Sequence, residues 1–134
     1  MTWKKDIEEL RKREKLAEAM GGRQKVIRQK KNKRLNVRER IELLLDKNSF
    51  HEIGKIAGKA EYDKNGKLKK FTPSNFVMGT GSINERKVVV GGDDFTVRGG
   101  AADASIAQKQ IMAEQLANEY RLPIIRLIEG TGGG

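Results

Sequence analysis

The clearest helical pattern in the chain is an amphipathic stripe within residues 36–49. Its four apolar residues follow i, i+4, i+7, i+8 spacing: Val37, Ile41, Leu44 and Leu45. Asn36 is a good N-cap, and Glu39 follows three residues later, as in a capping box. We therefore predict a helix that buries this stripe against a core, leaving Arg38 and Arg40 to face solvent or a ligand.

Two more polar helices are predicted before it. Residues 3–20 have one loosely apolar side, and Gly21-Gly22 ends that helix, as glycine often does. Residues 23–34 are strongly basic and offer only Val26 and Ile27 for burial. This segment is either a solvated helix face or a site for a polyanion, such as nucleic acid or the phosphates of a cofactor.

Strand-like patterns dominate the rest of the chain. Residues 50–62 alternate with glycine interruptions, and the Asp63–Gly66 segment has the Asn-Gly dipeptide of a hairpin. Residues 76–83 predict a strand and residues 84–86 a tight turn. A further strand, buried at residues 87–90, is predicted to continue through Val97.

Two glycine-dense turns follow the last two predicted strands. The first is Arg98–Ala102; Asp103 or Ser105 can then cap an alanine-rich helix that runs to about Tyr120. Pro123 opens a final strand, predicted to be buried on both faces, and Gly130–Gly134 forms the second turn. A right-handed β-α-β crossover places both turns on one edge of the sheet, where main-chain N–H groups can stabilise an acyl oxyanion. We also expect a further helix after residue 134, which makes the chain the N-terminal portion of a longer protein.

Composition narrows the function classes. The chain has no cysteine and a single histidine, His51, which disfavours a thiolate nucleophile, a histidine-rich metal site or a serine–histidine triad; no metal site is predicted. Residues 1–40, the basic arm, hold fifteen lysines or arginines against six acidic residues. Their net charge of +9 is nearly all of the +10 that the whole chain carries. No apolar run is long enough for a membrane span, and the N-terminus has no signal-peptide pattern, so a cytoplasmic protein is predicted.

Several motifs resemble the carboxyltransferase (β) subunit of biotin-dependent acyl-CoA carboxylases, of the propionyl-CoA and methylcrotonyl-CoA carboxylase type. In family order they are Gly21-Gly22, KRLNVRERIELLLDKNSFHE at 33–52, GTGSIN at 79–84, DFTVRGGA at 94–101 and LPIIRLIE at 122–129. Two places depart from the family pattern. Ser74-Asn75 stands where Asp-Gly is expected, and residues 129–134 replace a pattern like Asp-Ser-Gly-Gly-Ala-Arg.

The resemblance implies an α/β, crotonase-like (ClpP/crotonase) fold of ββα units. Residues 1–49 would be a basic helical extension, and residues 50–134 the truncated start of the N-terminal carboxyltransferase domain. The implied activity is transfer of a carboxyl group from carboxybiotin to the α-carbon of an acyl-CoA through an oxyanion-stabilised enolate. The implied main-chain donors are Gly100, Ala101, Gly133 and Gly134.

The same resemblance gives the basic arm a ligand. Coenzyme A carries a 3′-phosphate and a diphosphate, which Lys33, Arg34, Arg38, Arg40 and Gly99 could meet. Biotin would arrive on a biotin carboxyl carrier protein loaded by biotin carboxylase. The family further implies a homo-oligomer (a dimer, or a hexamer of dimers or trimers), in the cytoplasm or, for a processed eukaryotic protein, the mitochondrial matrix.

Three alternatives stay open at this point. A biotin-dependent acyl-CoA decarboxylase fits the same motifs. A crotonase-like hydratase would need paired glutamates, and Glu129 is the only carboxylate beside the second turn. A nucleic-acid-binding module would use residues 23–40, although these lack interleaved aromatic residues and a recognised binding motif.

Overall fold

The computed structural model describes residues 2–101 and 106–130. Within them lie helices α1 (Lys4–Glu18), α2 (Arg23–Lys31), α3 (Val37–Leu44) and α4 (Ala107–Tyr120), and a 3₁₀ turn, Arg98–Gly100. The strands are β1 (His51–Ile53), β2 (Gly58–Tyr62), β3 (Leu68–Pro73), β4 (Phe76–Ile83), β5 (Arg86–Asp93) and β6 (Ile124–Leu127). The predicted α/β composition is confirmed.

The central sheet has the strand order β1-β4-β5-β6, and β2 pairs with β3 in a separate hairpin. β1, β4 and β5 pair antiparallel, whereas β5 and β6 are parallel and are connected through α4. The predicted β-α-β unit is therefore present. Because parallel strands end at the same edge, the chain leaves β5 and β6 on the same side of the sheet.

The sheet is covered on both faces. On one face, α3 packs Val37, Ile41 and Leu45 against Val88 and Val90. On the other face, α4 lies against β4 and β5 through two buried alanines and three larger side chains: Ala113, Ala117, Phe76, Met78 and Val89. Neighbouring residues of β5 thus point to opposite faces, and both faces are apolar because both are covered.

The capping box predicted at α3 is present. The Glu39 N–H donates to Asn36 Oδ1, and the Asn36 N–H donates to Glu39 Oε2, both at 3.0 Å. The tight turn between β4 and β5 is also confirmed. Asn84 and Glu85 both have positive φ, as a two-residue hairpin turn of this kind needs, and their N–H groups donate to the carboxylate of Asp46.

Two predictions about the strands are wrong. The strand predicted to reach Val97 ends at Asp93, because the Asp94 carboxylate accepts hydrogen bonds from the Thr96 N–H and hydroxyl and turns the chain. The final strand is not buried on both faces. All four residues of β6 are half-buried, because β6 is the edge strand of the described sheet.

The N-terminal helix is joined to the hairpin rather than to the central sheet. The C-terminal half of α1 packs Leu16 and Ala17 against Leu68 and Phe71 of β3. The helix is then followed by Gly21, which lies so close to the turn after β5 that a Cβ at this position would be 1.9 Å from the Thr96 carbonyl oxygen. The helical extension is therefore in direct contact with the segment that leads into the first glycine turn.

Candidate functional site

The first glycine turn has an unusual backbone. Arg98, Gly99 and Gly100 have φ values of 51°, 63° and 68°, three left-handed residues in succession. The Gly100 N–H donates to Val97 O at 3.1 Å, and the Ala101 N–H donates to Arg98 O at 3.2 Å. The two predicted main-chain donors of this turn therefore already make long 3₁₀ hydrogen bonds.

The chain leaving β6 touches this turn directly. A Cβ on Gly100 would lie 2.2 Å from the carbonyl oxygen of Glu129 and 3.2 Å from Gly130 Cα. Only glycine permits so close a backbone approach. The prediction that the two glycine stretches lie at one edge of the sheet is confirmed for Gly100 and Gly130. Gly133 and Gly134, the predicted donors of the second turn, lie outside the described residues, as do Asp103 and Ser105.

The Glu129 carboxylate at this edge is held by the helical extension. Gln29 Nε2 donates to Glu129 Oε1 at 3.0 Å. One guanidinium nitrogen of Arg34 lies 3.9 Å from Glu129 Oε1, and one of Arg40 lies 3.7 Å from Glu129 Oε2. The Glu129 N–H also donates to Asp93 Oδ2 at 3.1 Å, which ties the end of β6 to the end of β5.

Arg38 serves a different carboxylate. Its two terminal nitrogens donate to the two oxygens of Glu52 at 2.7 Å and 3.0 Å, a bidentate pair in which the Glu52 side chain is only 8% exposed. Lys33 is exposed, beyond the end of α2. Of the five residues predicted to bind coenzyme A, the three arginines (Arg34, Arg38 and Arg40) thus all lie near carboxylates of the same chain.

Two of the predicted residues, Arg34 and Gly99, line a cleft of about 640 Å³ between α2 and the first glycine turn. The Arg34 guanidinium lies over the Phe95 ring, with its central carbon 5.8 Å from the ring centroid. The described lining has four cationic side chains and no carboxylate: Lys25, Arg28, Arg34 and Arg98. Sequence reasoning selected the basic segment 23–34 but did not single out Lys25, Arg28 or Arg98, since only the fold aims them at the turn.

Two further ionisable groups, Asp94 and Lys109, are buried. Burial raises the pKa of Asp94 above its usual range, against the opposing effect of its hydrogen bonds from Thr96. Burial also lowers the pKa of Lys109 to about 8. The Lys109 side chain lies beside Gly54, where a Cβ would be 3.3 Å from its Cε.

The sequence matches a known protein family. Residues 28–134 match the carboxyl transferase domain. The chain belongs to the carboxyl transferase domain family. The match covers α3, the whole central sheet and both glycine stretches, and it begins inside the basic helix α2.

Individual members of the carboxyl transferase family agree with this assignment. The chain is 38% identical over 129 residues to the propionyl-CoA carboxylase beta chain of Cereibacter sphaeroides, covering 96% of this chain and 25% of that protein. It is 36% identical over 114 residues to the mitochondrial propionyl-CoA carboxylase beta chain of Homo sapiens, covering 84% and 21%. The chain thus spans about a quarter of the length of these relatives.

Solved structures show the same fold. Transcarboxylase 12S, crystallised with methylmalonyl-coenzyme A and methylmalonic acid bound, superposes with a TM-score of 0.83 at 28% identity over 100% of this chain and 26% of its own. The β subunit of P. aeruginosa geranyl-CoA carboxylase gives 0.65 at 24% identity, over 98% of this chain and 23% of its own, and supports the fold alone. The predicted crotonase-like α/β fold of the carboxyltransferases is therefore confirmed. Among the described helices, none is long and apolar enough to cross a membrane.

Proposed function

We propose that this chain forms the acyl-CoA-binding part of a carboxyltransferase that moves a carboxyl group from carboxybiotin to the α-carbon of an acyl-CoA. The observation that carries this proposal is the contact between Gly100 and the Glu129–Gly130 backbone, next to a cationic cleft. In this proposal residues 1–49 are a helical extension that supplies cations, and residues 50–134 begin the crotonase-like domain.

The chemistry needs main-chain donors where negative charge develops. Loss of the α-proton turns the thioester into an enolate, whose charge rests on the thioester oxygen. We assign stabilisation of that oxygen to the N–H groups of Gly100 and Ala101, with Gly133 and Gly134 as donors from the second turn. The 3₁₀ hydrogen bonds that Gly100 and Ala101 now make are long, and such bonds are commonly shared between two acceptors at helix ends.

The cleft beside the turn suits the nucleotide end of coenzyme A. The 3′-phosphate and the diphosphate are strong anions, and the four cationic side chains of the cleft supply charge-assisted donors. The planar guanidinium of Arg34, which lies over the Phe95 ring, is a surface on which the adenine ring could stack. In this arrangement α2 anchors the nucleotide while Gly99 and Gly100 approach the thioester.

Biotin would supply the activated carboxyl group from a carrier protein. No described side chain is assigned to hold biotin itself. The biotin carboxyl carrier protein and biotin carboxylase are the proposed partners. Several copies of the chain are also proposed to assemble, by analogy with the hexamer of transcarboxylase 12S.

The location is also part of the proposal. The relatives from Homo sapiens and Drosophila melanogaster are named as mitochondrial, while others are bacterial. We propose the cytoplasm for a bacterial source and the mitochondrial matrix for a eukaryotic one.

Replacing Ala101 by proline tests the donor role directly. Ala101 has φ −64°, the value that proline imposes, so Ala101→Pro removes one N–H with little change in its own backbone angle. We expect carboxylation of acyl-CoA by the assembled enzyme to fall about 100- to 1,000-fold, the usual cost of losing one oxyanion donor.

Ala101→Ser is the matched control, because it changes the side chain and keeps the N–H. It should retain carboxyl transfer to within a few-fold. Wild-type turnover by a correctly folded Ala101→Pro enzyme would remove the Ala101 N–H from the mechanism.

A further inference from the structure

We infer that Asn75 is a positioning residue, whose side-chain amide holds the first glycine turn in the geometry that its donors need. The inference rests on the proposed function, since it concerns how the Gly100 and Ala101 N–H groups are aimed.

Asn75 holds both ends of the segment that contains the turn. Its backbone carbonyl accepts a hydrogen bond from the Asp94 N–H at 2.8 Å, at the point where the chain leaves β5. Its side-chain Nδ2 donates to the carbonyl of Ala101 at 2.6 Å, at the far end of the turn. The amide orientation follows from chemistry, because only the nitrogen can donate to a carbonyl. A single residue thus fixes where residues 94–101 begin and end.

The turn needs such a constraint. Arg98 is a non-glycine residue at positive φ, and two glycines with positive φ follow it. Glycine has the widest conformational freedom of any residue, so this backbone would otherwise sample many orientations of its N–H groups. Strained or permissive backbone keeps one conformation only where its surroundings determine it.

Burial makes the Asn75 contact effective. Asn75 is 4% exposed, so its hydrogen bond to Ala101 does not compete with water. The middle of the same segment is held separately, since the Gly21 N–H donates to Thr96 Oγ1 at 2.9 Å and that hydroxyl donates to Asp94 Oδ1 at 2.5 Å. These contacts hold the segment before the turn, whereas Asn75 alone among these residues contacts Ala101, at the end of the turn.

Asn75→Asp is the sharpest test, because the carboxylate is isosteric with the amide and cannot donate. In the assembled enzyme we expect kcat for carboxyl transfer to fall about ten- to a hundredfold at pH 8, since small displacements of catalytic groups have effects of that size. KM for acyl-CoA should change by less than about threefold, because the cationic cleft still holds the nucleotide.

The pH profile separates positioning from simple packing. A protonated carboxyl group can donate to the Ala101 carbonyl, so the kcat of Asn75→Asp relative to the wild type should recover as pH falls. Asp94 is present in both proteins, so the ratio removes its own titration. A kcat loss that does not recover at low pH, in an enzyme with unchanged melting temperature, would assign Asn75 to packing and overturn the inference.

Asn75→Gly covers the case in which the charged variant does not fold. It removes the amide without adding charge, and we expect the same loss of kcat with KM preserved. Wild-type kcat in this variant would also overturn the inference. The matched control is Ser74→Ala: Ser74 is equally buried, and its hydroxyl has no hydrogen-bond partner among the described residues, so kcat and KM should not change. Absence of carboxyl transfer in the wild-type enzyme would contradict the proposed function. Wild-type activity with no effect of the Asn75 variants would contradict only the Asn75 assignment.

Discussion

Helices α2 and α3 are neighbours in the chain and both carry arginines, yet the structure uses them differently. In α3, Arg38 pairs with Glu52 of β1 and Arg40 approaches Glu129, just after β6, so both arginines lie near carboxylates. In α2, Lys25 and Arg28 line the cleft and have no ion-pair partner among the described residues. A basic residue is therefore a better candidate for binding an anionic ligand when no carboxylate of the same chain lies close to it.

Side-chain burial also differs between the two helices. The α3 stripe is buried, with Val37 and Ile41 each 1% exposed, whereas Gln29 is the only buried residue of α2. Helix α3 is thus held by the core of the sheet. Helix α2 packs Val26 against that core, Gln29 binds Glu129, and most of the helix surface is exposed.

The largest expected difference between the two helices is in stability. Ile41→Ala should lower the free energy of unfolding of the chain by about 2–5 kcal/mol, because it leaves a cavity under α3. Ile27→Ala in α2, where the side chain is 42% exposed, should cost less than about 1 kcal/mol. Chemical denaturation of both variants checks this, and equal costs would show that the two helices are packed alike.

Lys109 is a buried cation, and among the described residues it has no carboxylate as close as the one that Glu52 provides to Arg38. Its folded pKa of about 8 lies below the usual 10.5, so the folded state disfavours the charged form. Lys109→Met should therefore stabilise the chain at pH 7, by at most about 3 kcal/mol.

The pH dependence has a definite sign. The unfolded chain binds the Lys109 proton more tightly, so wild-type stability should rise as pH increases from about 8 toward 10.5. Denaturation midpoints measured across that range should show less of this rise in Lys109→Met. If stability rose equally with pH in both proteins, the charged form of Lys109 would not be disfavoured in the folded state.

Local patterns in the sequence predicted local structure well. The capping box at Asn36, the apolar stripe of α3 and the turn at Asn84–Glu85 depend on neighbouring residues, and the structure has all three. The end of β5 was misplaced because Val97 continues an apolar pattern, while the hydrogen bonds from Thr96 to Asp94 turn the chain earlier.

The site was predicted only in outline, for a physical reason. The crossover rule brought the two glycine stretches to one edge, and the contact of Gly100 with Glu129 agrees. Which side chains meet a carboxylate depends on contacts between residues of different elements: Arg38 with Glu52, and Gln29 with Glu129, 100 positions apart in the chain. Such contacts cannot be predicted from the spacing of residues in the sequence. The same holds for Asn75, whose partner Ala101 is 26 residues away.

We propose that α2 supplies uncompensated charge to a coenzyme A cleft, and the affinity for coenzyme A tests this proposal most directly. Calorimetric titration at about 0.1 M salt would compare two double variants of α2, each removing two exposed cations. Lys25→Gln with Arg28→Gln removes charge from the cleft, whereas Lys30→Gln with Lys31→Gln removes it from outside.

We predict about ten- to hundredfold weaker coenzyme A binding for the cleft variant, since a hydrogen bond to a charged group contributes about 1 kcal/mol or more. The second variant should stay within about threefold of the wild type, because screening weakens distant charges. Equal losses in both variants, matched by equal losses in binding to a nonspecific DNA duplex, would contradict the claim and favour a general polyanion surface.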